Sequence, residues 1–478
     1  MIHCRLFIIT LLFLCSGHTV GQTASVHASA QDYAGQTIHT SIAWNPFITI
    51  PEFSNSVVCN EKGEFDQVIP LKSPRVVQFE TGIYQAYLYM EPGFHYEVVF
   101  PDFIEKKWND QISPFYQPTA LPLIVNSRSP LSGGEKINGS MDVNHSIASF
   151  DSLFIIANRE IINHRKLGQQ LNTDSIILQL EITFTNDSSL FFSDYRRFRY
   201  GALKLNEGRT SMVDLSWDYL GPTVMEWHPA FVELFRVLFK DFIFYYAGSE
   251  EGQKFRNLVN RDQQLQQARQ LVINHPAVWS DTLAEMILLQ EFSELFYRGE
   301  YHKEAILIML DSMSLEPVTP EFGIYASQLK QKLSSLVTGN SPPAITLKDL
   351  EGTPLSLGDF EGKYTYLFFG TTDHYGCMME YPFLQSYIEK HAAYLNVVTV
   401  MTSEDRNKLD DFMHRNGYSW TVLHFEGQPG ILDDYMVRAY PTAYLIDRDG
   451  KLLLSPATLP SEGFEQQLFR IMRSRGEI

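Results

Sequence analysis

The residues of this chain with the clearest chemical potential are His374 and Cys377, which lie three positions apart in the segment His-Tyr-Gly-Cys. If a helix begins at His374, this spacing places the imidazole about one turn from the thiol. An imidazole at that distance could help to ionise the thiol, and the thiolate is the form of cysteine that attacks disulfides and peroxides. In the alternative interpretation, which we favour, Cys377 is a small buried residue and His374 is a polar residue at the helix start.

The other cysteines do not predict a disulfide framework. Cys4 and Cys15 fall within the N-terminal signal described below, so only Cys59 and Cys377 remain in the exported chain. A disulfide between these two stays open, because the sequence does not show whether they approach each other.

Metal chemistry at the same place would need further ligands. His374 and Cys377 alone would leave a zinc ion short of two of its usual four ligands. Neither His391 nor His424 is tied to them by spacing. We therefore predict no metal site and no cofactor.

The helix that begins near His374 belongs to a segment in which strands and helices alternate. This alternation predicts an α/β domain with a mixed central sheet over residues 340–478. The predicted elements are a hairpin at 345–357, a strand at 364–369, a helix from about His374 through Pro382, a strand at 397–401, a helix at 405–416, a strand at 421–425, a short helix at 431–436, strands at 443–446 and 451–454, and a helix after Pro460.

Several short motifs follow one another along this domain in a characteristic order. They are Pro342-Pro343-Ala344-Ile345-Thr346-Leu347, Gly362-Lys363, Phe368-Phe369, Cys377-x-x-Glu380-x-Pro382, Tyr440-Pro441-Thr442-Ala443-Tyr444-Leu445-Ile446 and Asp449-Gly450-Lys451. In this succession the domain resembles the TlpA/ResA-like branch of the thioredoxin superfamily. The resemblance implies a thioredoxin-like fold. In that family a Cys-x-x-Cys pair at the start of the first helix exchanges disulfides, the first thiol attacking and the second resolving.

The resemblance also assigns the residues around the helix start. Counting back from Pro382, Glu380 matches the family glutamate and Cys377 matches the second cysteine. His374 then occupies the position of the attacking cysteine, and Asp373 replaces the tryptophan that usually precedes it. An imidazole cannot form a disulfide, so a dithiol cycle within this domain is not expected.

A substrate groove is the second feature that the resemblance implies. In the family it is shaped by a proline in a cis peptide opposite the motif, and Pro441 after Tyr440 matches that proline. We therefore expect a groove formed by Tyr440, Pro441, Thr442 and Glu380. Peroxiredoxin chemistry is not predicted, because its Pro and Thr at fixed distances before the cysteine are absent.

Two further domains precede this one, so the chain is predicted to be multidomain. β-Branched and aromatic residues predict a small antiparallel β-domain over residues 25–125, a sandwich or barrel with hairpin turns at 61–64 and 91–94. A polar loop at 126–145 follows. Apolar residues at helical spacing, such as the stripe from Phe231 to Phe242, then predict a helical bundle over residues 146–338.

The N-terminal 21 residues predict the compartment. A short basic segment precedes a mostly apolar run from Leu6 to Leu14, and small and polar residues follow, as in a secretory signal cleaved after Gly21. A lipoprotein anchored at Cys15 is the less favoured alternative, because Leu14 stands where such signals want a small residue. We expect a periplasmic or cell-envelope protein.

Charge excludes some partners. The formal net charge is -18 and no basic run is present, which argues against nucleic-acid binding. Charged residues interrupt the helical stripes, so no membrane span is predicted after signal removal. The favoured hypothesis is an exported thioredoxin-like protein with a degenerate motif, acting as a redox-inactive binding or structural module with an envelope protein as client. The alternative is a thiol–disulfide oxidoreductase or single-thiol redox protein that acts through Cys377.

Overall fold

The computed structural model describes residues 23–43, 51–108, 110, 113, 116–138, 142–169, 171–185, 189–246, 248–296, 298–402, 405–425 and 429–478. The predicted signal peptide at 1–21 lies outside the described residues. Within these ranges the chain has a β-rich N-terminal region, a helical central region and a C-terminal region built on one sheet, which confirms the predicted order of structural types. The domain limits given above stay predictions.

The N-terminal strands are short, and several of them alternate buried with less buried side chains. They are β1 (Thr23–Ser29), β2 (Thr37–Ala43), β3 (Pro51–Val58), β4 (Glu64–Pro70), β5 (Arg75–Thr81), β6 (Tyr84–Met90), β7 (Phe94–Val99), β8 (Thr119–Pro122), β9 (Ile124–Pro130) and β10 (Ile137–Asn138). In the described ranges they form two five-stranded sheets, ordered β10-β9-β7-β1-β4 and β3-β2-β5-β6-β8. Val26 and Phe65 from the first sheet share one hydrophobic cluster with Ile38 and Phe79 from the second. The two sheets therefore enclose a common core.

The two hairpins predicted in the β-domain, at the turns 61–64 and 91–94, are wrong. The chain turns where expected, and Gly63 adopts a positive φ of 72°. However, β3 pairs with β2 while β4 pairs with β1, and β6 pairs with β5 while β7 pairs with β1. Both connections thus pass from one sheet to the other. The region is also not purely antiparallel, because the β1–β7 and β6–β8 pairs are parallel. Turn residues specify where a chain reverses, whereas burial of the inner faces decides which sheet the next strand joins.

The predicted loop at 126–145 is shorter than expected. Strand β9 continues to Pro130, β10 follows at Ile137–Asn138, and the first long helix begins at Val143. The Asp142 side chain caps this helix by accepting a hydrogen bond from the Asn144 N–H.

The central region consists of helices around one large hydrophobic cluster. They are α1 (Val143–Lys166), α2 (Thr173–Thr183), α3 (Leu190–Glu207), α4 (Met212–Leu215), α5 (Pro229–Leu238), α6 (Phe242–Tyr246), α7 (Glu250–Asn257), α8 (Leu265–Ile273), α9 (Asp281–Leu295), α10 (Lys303–Leu315) and α11 (Pro320–Ser334), with π-helical turns at Ser216–Leu220 and Leu258–Asp262. The apolar stripe from Phe231 to Phe242 spans two helices, since α5 ends at Leu238 and Asp241 has a φ of 57°. The helical spacing of the apolar residues continues across the break between α5 and α6 because both helices pack into the same hydrophobic cluster.

The β-rich and helical regions are joined by a buried amide. The Tyr89 backbone N–H donates to Asn144 Oδ1 at 2.7 Å, and Asn144 Nδ2 donates to the Tyr89 carbonyl at 2.9 Å. The Tyr89 ring lies in the core of the helical region, edge-on to Phe191 and Tyr195. The Asn144 side chain thus satisfies backbone groups at the end of strand β6 while it anchors the start of α1.

The C-terminal region alternates strands and helices as predicted. Its elements are β11 (Thr346–Asp349), β12 (Pro354–Ser356), β13 (Tyr364–Thr371), α12 (Tyr375–His391), β14 (Leu395–Thr402), α13 (Arg406–Asn416), β15 (Thr421–Phe425), α14 (Pro429–Asp434), β16 (Thr442–Ile446), β17 (Leu452–Leu454) and α15 (Phe464–Ser474). Within the described residues the sheet has seven strands in the order β12-β11-β15-β14-β13-β16-β17. All eight residues of β13 are buried, because separate hydrophobic clusters cover the two faces of the sheet.

None of the helices in the described parts of the chain is both long and apolar enough to cross a membrane.

Candidate functional site

The candidate site lies where the central strand β13 gives way to helix α12. The helix begins at Tyr375, and His374 is its N-cap residue with extended backbone angles. Asp373 and His374 are both exposed. Asp373 accepts a hydrogen bond from the Thr371 hydroxyl, which fixes the turn between strand and helix. His374 therefore stands at the helix N-terminus, where the helix dipole would stabilise a thiolate if a cysteine were present.

Cys377 lies one turn further along α12 and is completely buried, with 0% of its surface exposed. Burial raises the pKa of its thiol to about 11, and the negative charges of Asp373 and Glu380 act in the same direction. Contacts with the Thr371 backbone and the Tyr381 hydroxyl offset part of this rise in pKa. The thiol is therefore overwhelmingly protonated at neutral pH.

A buried tyrosine of α12, Tyr381, packs in the same cluster as Cys377. The Tyr381 hydroxyl donates to the Thr371 carbonyl at 2.7 Å and lies 3.4 Å from the Met401 sulfur. The ring is fully buried among aromatic side chains that include Phe368 and Trp420.

The predicted groove residues Tyr440 and Pro441 meet the helix start. The Tyr440–Pro441 peptide is cis. A methyl group built on Gly376 would lie 3.1 Å from His374 Cε1 and 3.4 Å from Pro441 Cδ, so His374 and Pro441 flank this glycine. Burial raises the pKa of Tyr440 to about 12, and a hydrogen bond with Thr402 offsets part of that rise in pKa. The structure thus brings His374, Cys377, Tyr440 and Pro441 together.

The other two predicted groove residues make contacts within the domain. The Thr442 hydroxyl donates to the Ala439 carbonyl at 2.7 Å, in the turn that carries Pro441. Glu380 is 5% exposed, and its two carboxylate oxygens accept hydrogen bonds from the Ser461 N–H at 2.9 Å and the Ser461 hydroxyl at 2.5 Å. Glu380 therefore links α12 to the segment before α15, and its place in a groove stays a prediction.

One feature of the site was missed by the sequence reasoning. Four apolar side chains of α12 are exposed, among them Tyr375 at 73% and Met379 at 53%. Together with Met378 and Phe383 they form the exposed apolar face of α12. Their spacing places them on one side of the helix, opposite Cys377 and the buried residues of the same helix. In the sequence, this exposed face was already visible as a second stripe of apolar residues at helical spacing.

The two cysteines in the described parts of the chain, Cys59 and Cys377, are both free and buried. Burial also raises the pKa of the Cys59 thiol. Across the described ranges no group of three or more His, Cys, Asp or Glu side chains is arranged to hold a metal ion.

The architecture of this region defines its class. A mixed sheet with a buried central strand, a helix that follows it directly and a cis proline beside the helix start together form a thioredoxin-like domain. Residues 338–454 match the sequence profile of the AhpC/TSA family.

Curated relatives refine the class. The thiol-disulfide oxidoreductase ResA of Geobacillus thermodenitrificans is 28% identical over 152 residues, which are 31% of this chain and 84% of ResA. The thioredoxin-like protein YneN of Bacillus subtilis is 29% identical over 149 residues, 31% of this chain and 87% of YneN. These findings confirm the resemblance of the C-terminal domain to the TlpA/ResA-like proteins.

Among solved structures, the thioredoxin domain of a thiol-disulfide oxidoreductase from Bacteroides vulgatus is 24% identical, with a TM-score of 0.27. The match covers 29% of this chain and 99% of that domain.

Proposed function

We propose that this chain is an exported cell-envelope protein whose thioredoxin-like domain binds a client or serves as a structural module without dithiol turnover. The observation that carries the proposal is which residues occupy the two cysteine positions of the motif, and how buried the remaining cysteine is. His374 takes the place of the attacking cysteine, and the remaining thiol of Cys377 is buried with a pKa of about 11. A thiol with these properties neither meets a substrate disulfide nor supplies the thiolate that exchange requires.

The surroundings of the motif support a binding role. The exposed apolar face of α12 begins at Tyr375, next to His374, and its residues Met378 and Met379 offer adaptable side chains to a partner. Pro441 lies beside the same helix start. An extended segment of a client protein could therefore pack on this face without a covalent intermediate.

Thiol–disulfide exchange through Cys377 is the second candidate function. It is favoured by relatives such as ResA, whose name records that activity. For this chain the reaction would require Cys377 to become exposed and its thiol pKa to fall. The motif would also offer no second thiol to resolve a mixed disulfide, because His374 occupies the other cysteine position.

The test is reduction of insulin disulfides by the purified protein with dithiothreitol as electron donor. Wild type, Cys377→Ala and His374→Cys are compared, and circular dichroism establishes that each variant is folded. We expect wild type and Cys377→Ala to match the rate with dithiothreitol alone, and His374→Cys to exceed it because the variant restores both thiols. Wild-type turnover that is lost in Cys377→Ala would establish the oxidoreductase instead.

Export belongs to the same proposal and is tested separately. The predicted cleavage after Gly21 would leave Gln22 as the first residue of the protein recovered from the cell envelope. Mass spectrometry of the intact protein measures this end. Recovery of the uncleaved chain, or of a chain that begins with a lipid-modified Cys15, would contradict the predicted cleavage.

A further inference from the structure

A cavity of about 200 Å³ lies between helices α1, α3 and α5 of the helical region. Its walls are mostly apolar and include Phe154 from α1, Leu205 from α3 and Leu234 from α5. An apolar cavity of about 150 Å³ is enough to hold benzene, whereas sites for drug-sized ligands usually enclose at least about 300 Å³. The volume therefore suits one apolar side chain, such as that of leucine or phenylalanine, better than a cofactor.

The space in this cavity exists because two of its lining residues are alanines. Ala202 belongs to α3 and Ala230 to α5. Next to Ala202 the same two helices are in close contact, since a methyl group built on Gly201 would lie 2.5 Å from Leu234 Cδ2. Atoms that line a gap in a packed interior lose dispersion contacts, and an apolar group that enters the gap restores them.

Exposed apolar side chains lie at the entrance to the cavity. Val237 of α5 lines the cavity and is 61% exposed, and Glu233, one turn earlier, has 60% of its side chain exposed. Ile155 is also 61% exposed and lies on the same face of α1 as the lining residue Asn158, three positions later. An apolar group can thus reach the cavity past two apolar side chains.

The charged side chains at the cavity are already paired with one another. Arg199 lines the cavity and donates from Nη1 to Glu233 at 2.5 Å and from Nη2 to the Tyr195 hydroxyl oxygen at 2.8 Å. That hydroxyl in turn donates to Asp151 at 2.8 Å. These bonds organise the wall before a ligand arrives, which lowers the entropic cost of binding. They also engage the guanidinium that an anionic ligand would need, so a neutral ligand group fits better.

Two asparagines of the wall offer hydrogen-bonding groups to a ligand. Asn206 Nδ2 donates to Asn158 Oδ1 at 2.7 Å, and both residues are half-buried and line the cavity. One bond between two carboxamides leaves the amino group of the first and the oxygen of the second, and these have no other partner among the described residues. In an extended peptide the N–H and C=O of one residue point to the same side. They match this free donor and acceptor.

We propose that this cavity binds a leucine or phenylalanine side chain from an extended segment of a partner protein, with the N–H and C=O of that residue paired to Asn206 and Asn158. The side chain fills the space beside Ala202, and the flanking residues of the segment pack on Ile155 and Val237. The site is built from the helical region, apart from His374 and Cys377, and does not depend on the proposed function.

Ligand-observed saturation-transfer NMR with the purified protein tests the proposal with four peptides. Acetyl-Ser-Phe-Ser-amide and acetyl-Ser-Leu-Ser-amide carry the apolar side chain, and acetyl-Ser-Gly-Ser-amide is the matched peptide without it. The fourth peptide is acetyl-Ser-Phe-Ser-amide with an N-methyl group on its phenylalanine nitrogen, which removes the N–H donor. We expect saturable binding of at least one of the first two peptides, none of the glycine peptide, and about three- to tenfold weaker binding of the N-methyl peptide than of its parent.

Three variants locate the site. Ala202→Leu fills the cavity from its wall and should abolish binding. Asn158→Ala removes one partner of the peptide and should weaken binding about three- to tenfold. Asn163→Ala, which changes an exposed asparagine elsewhere on α1, should leave the affinity unchanged.

Circular dichroism establishes that each variant is folded, and Asn158→Ala keeps the test decisive if Ala202→Leu does not fold. The proposal would be overturned by any of three results. They are absence of saturable binding of both apolar peptides, equal binding of the glycine or N-methyl peptide, and full affinity in a folded Ala202→Leu or Asn158→Ala variant.

Discussion

The hydroxyl of Tyr381 donates a hydrogen bond to the carbonyl of Thr371 at 2.7 Å, and Tyr381 shares one buried hydrophobic cluster with Cys377. This bond joins the second turn of α12 to the end of β13, where the chain leaves the sheet for the site. Because the Tyr381 ring is fully buried, the thiol of Cys377 is enclosed by protein on this side. The residue that remains from the motif is thus built into the core of the domain.

Alkylation of Cys377 should be slow in the folded protein. Its thiol pKa of about 11, against an ordinary value of 9.0, leaves about a hundredfold less thiolate at pH 7, and burial slows reagent access further. We expect labelling by iodoacetamide, measured by mass spectrometry of the Cys377 peptide, to be at least about 100-fold slower than in urea. Equal rates in the folded and unfolded protein would contradict this enclosure.

The contact between Glu380 and Ser461 should contribute to the stability of the thioredoxin-like domain. Glu380→Gln replaces a buried carboxylate that accepts two hydrogen bonds, and Ser461→Ala removes one of the donors. Each variant should lower the free energy of unfolding by about 1–2 kcal/mol. Urea denaturation followed by tryptophan fluorescence measures the loss.

A double-mutant cycle separates this contact from other effects. If Glu380 acts through Ser461, the loss in the double variant should be smaller than the sum of the two single losses. Strictly additive losses would show that the two side chains are energetically independent. In that case Glu380 would be free to serve the groove that the family resemblance assigns to it.

The alternation of strands and helices in the thioredoxin-like domain could be predicted from sequence because local patterns decide it. Buried strands such as β13 read as continuous apolar runs, and the helix start at His374 follows from the family motif. The sheet pairing of β3 and β6 could not be predicted, since turn residues do not choose between two sheets. A cleft lined by both Glu80 and Asp433 could not be predicted either, because these residues are far apart in sequence.

Acid should destabilise the helical region through His228. This histidine is buried, stacks on Phe191 with ring centres 4.4 Å apart, and has a pKa lowered by burial to about 4. The unfolded chain, with an ordinary pKa of 6.5, takes up a proton that the folded chain does not. The contribution of His228 is therefore fully present above pH 6.5 and is lost as the pH falls towards 4, by about 3 kcal/mol at most.

Replacement of His228 by a non-titrating ring tests this dependence. His228→Phe should flatten the free energy of unfolding between pH 6.5 and 4 relative to wild type, measured by urea denaturation. His228 is the N-cap residue of α5. The matched control is His302→Phe, because His302 is an exposed histidine at the N-cap of α10. Parallel pH profiles for wild type and His228→Phe would show that the buried imidazole does not carry the effect.

Glu291 should give the opposite pH dependence in the same region. Its buried carboxylate accepts hydrogen bonds from the Phe242 N–H at 3.1 Å and the Ile243 N–H at 3.0 Å, at the start of α6. Burial nevertheless raises its pKa from 4.5 to about 7. The folded chain thus holds a proton that the unfolded chain releases above pH 4.5, so stability falls as the pH rises from 4.5 through 7, by about 3 kcal/mol.

Glu291→Gln removes the ionisable carboxyl group, so the comparison of this variant with wild type measures how its ionisation affects stability. Relative to wild type, the variant should gain about 3 kcal/mol in the free energy of unfolding between pH 4.5 and 8, because the amide stays neutral throughout. Glu294→Gln, on a more exposed position of the same helix α9, should show no comparable gain. If the difference in the free energy of unfolding between wild type and Glu291→Gln stays constant over this range, the carboxyl group ionises in the folded protein at its ordinary pKa. Water would then have access to it, directly or through a local opening of α6.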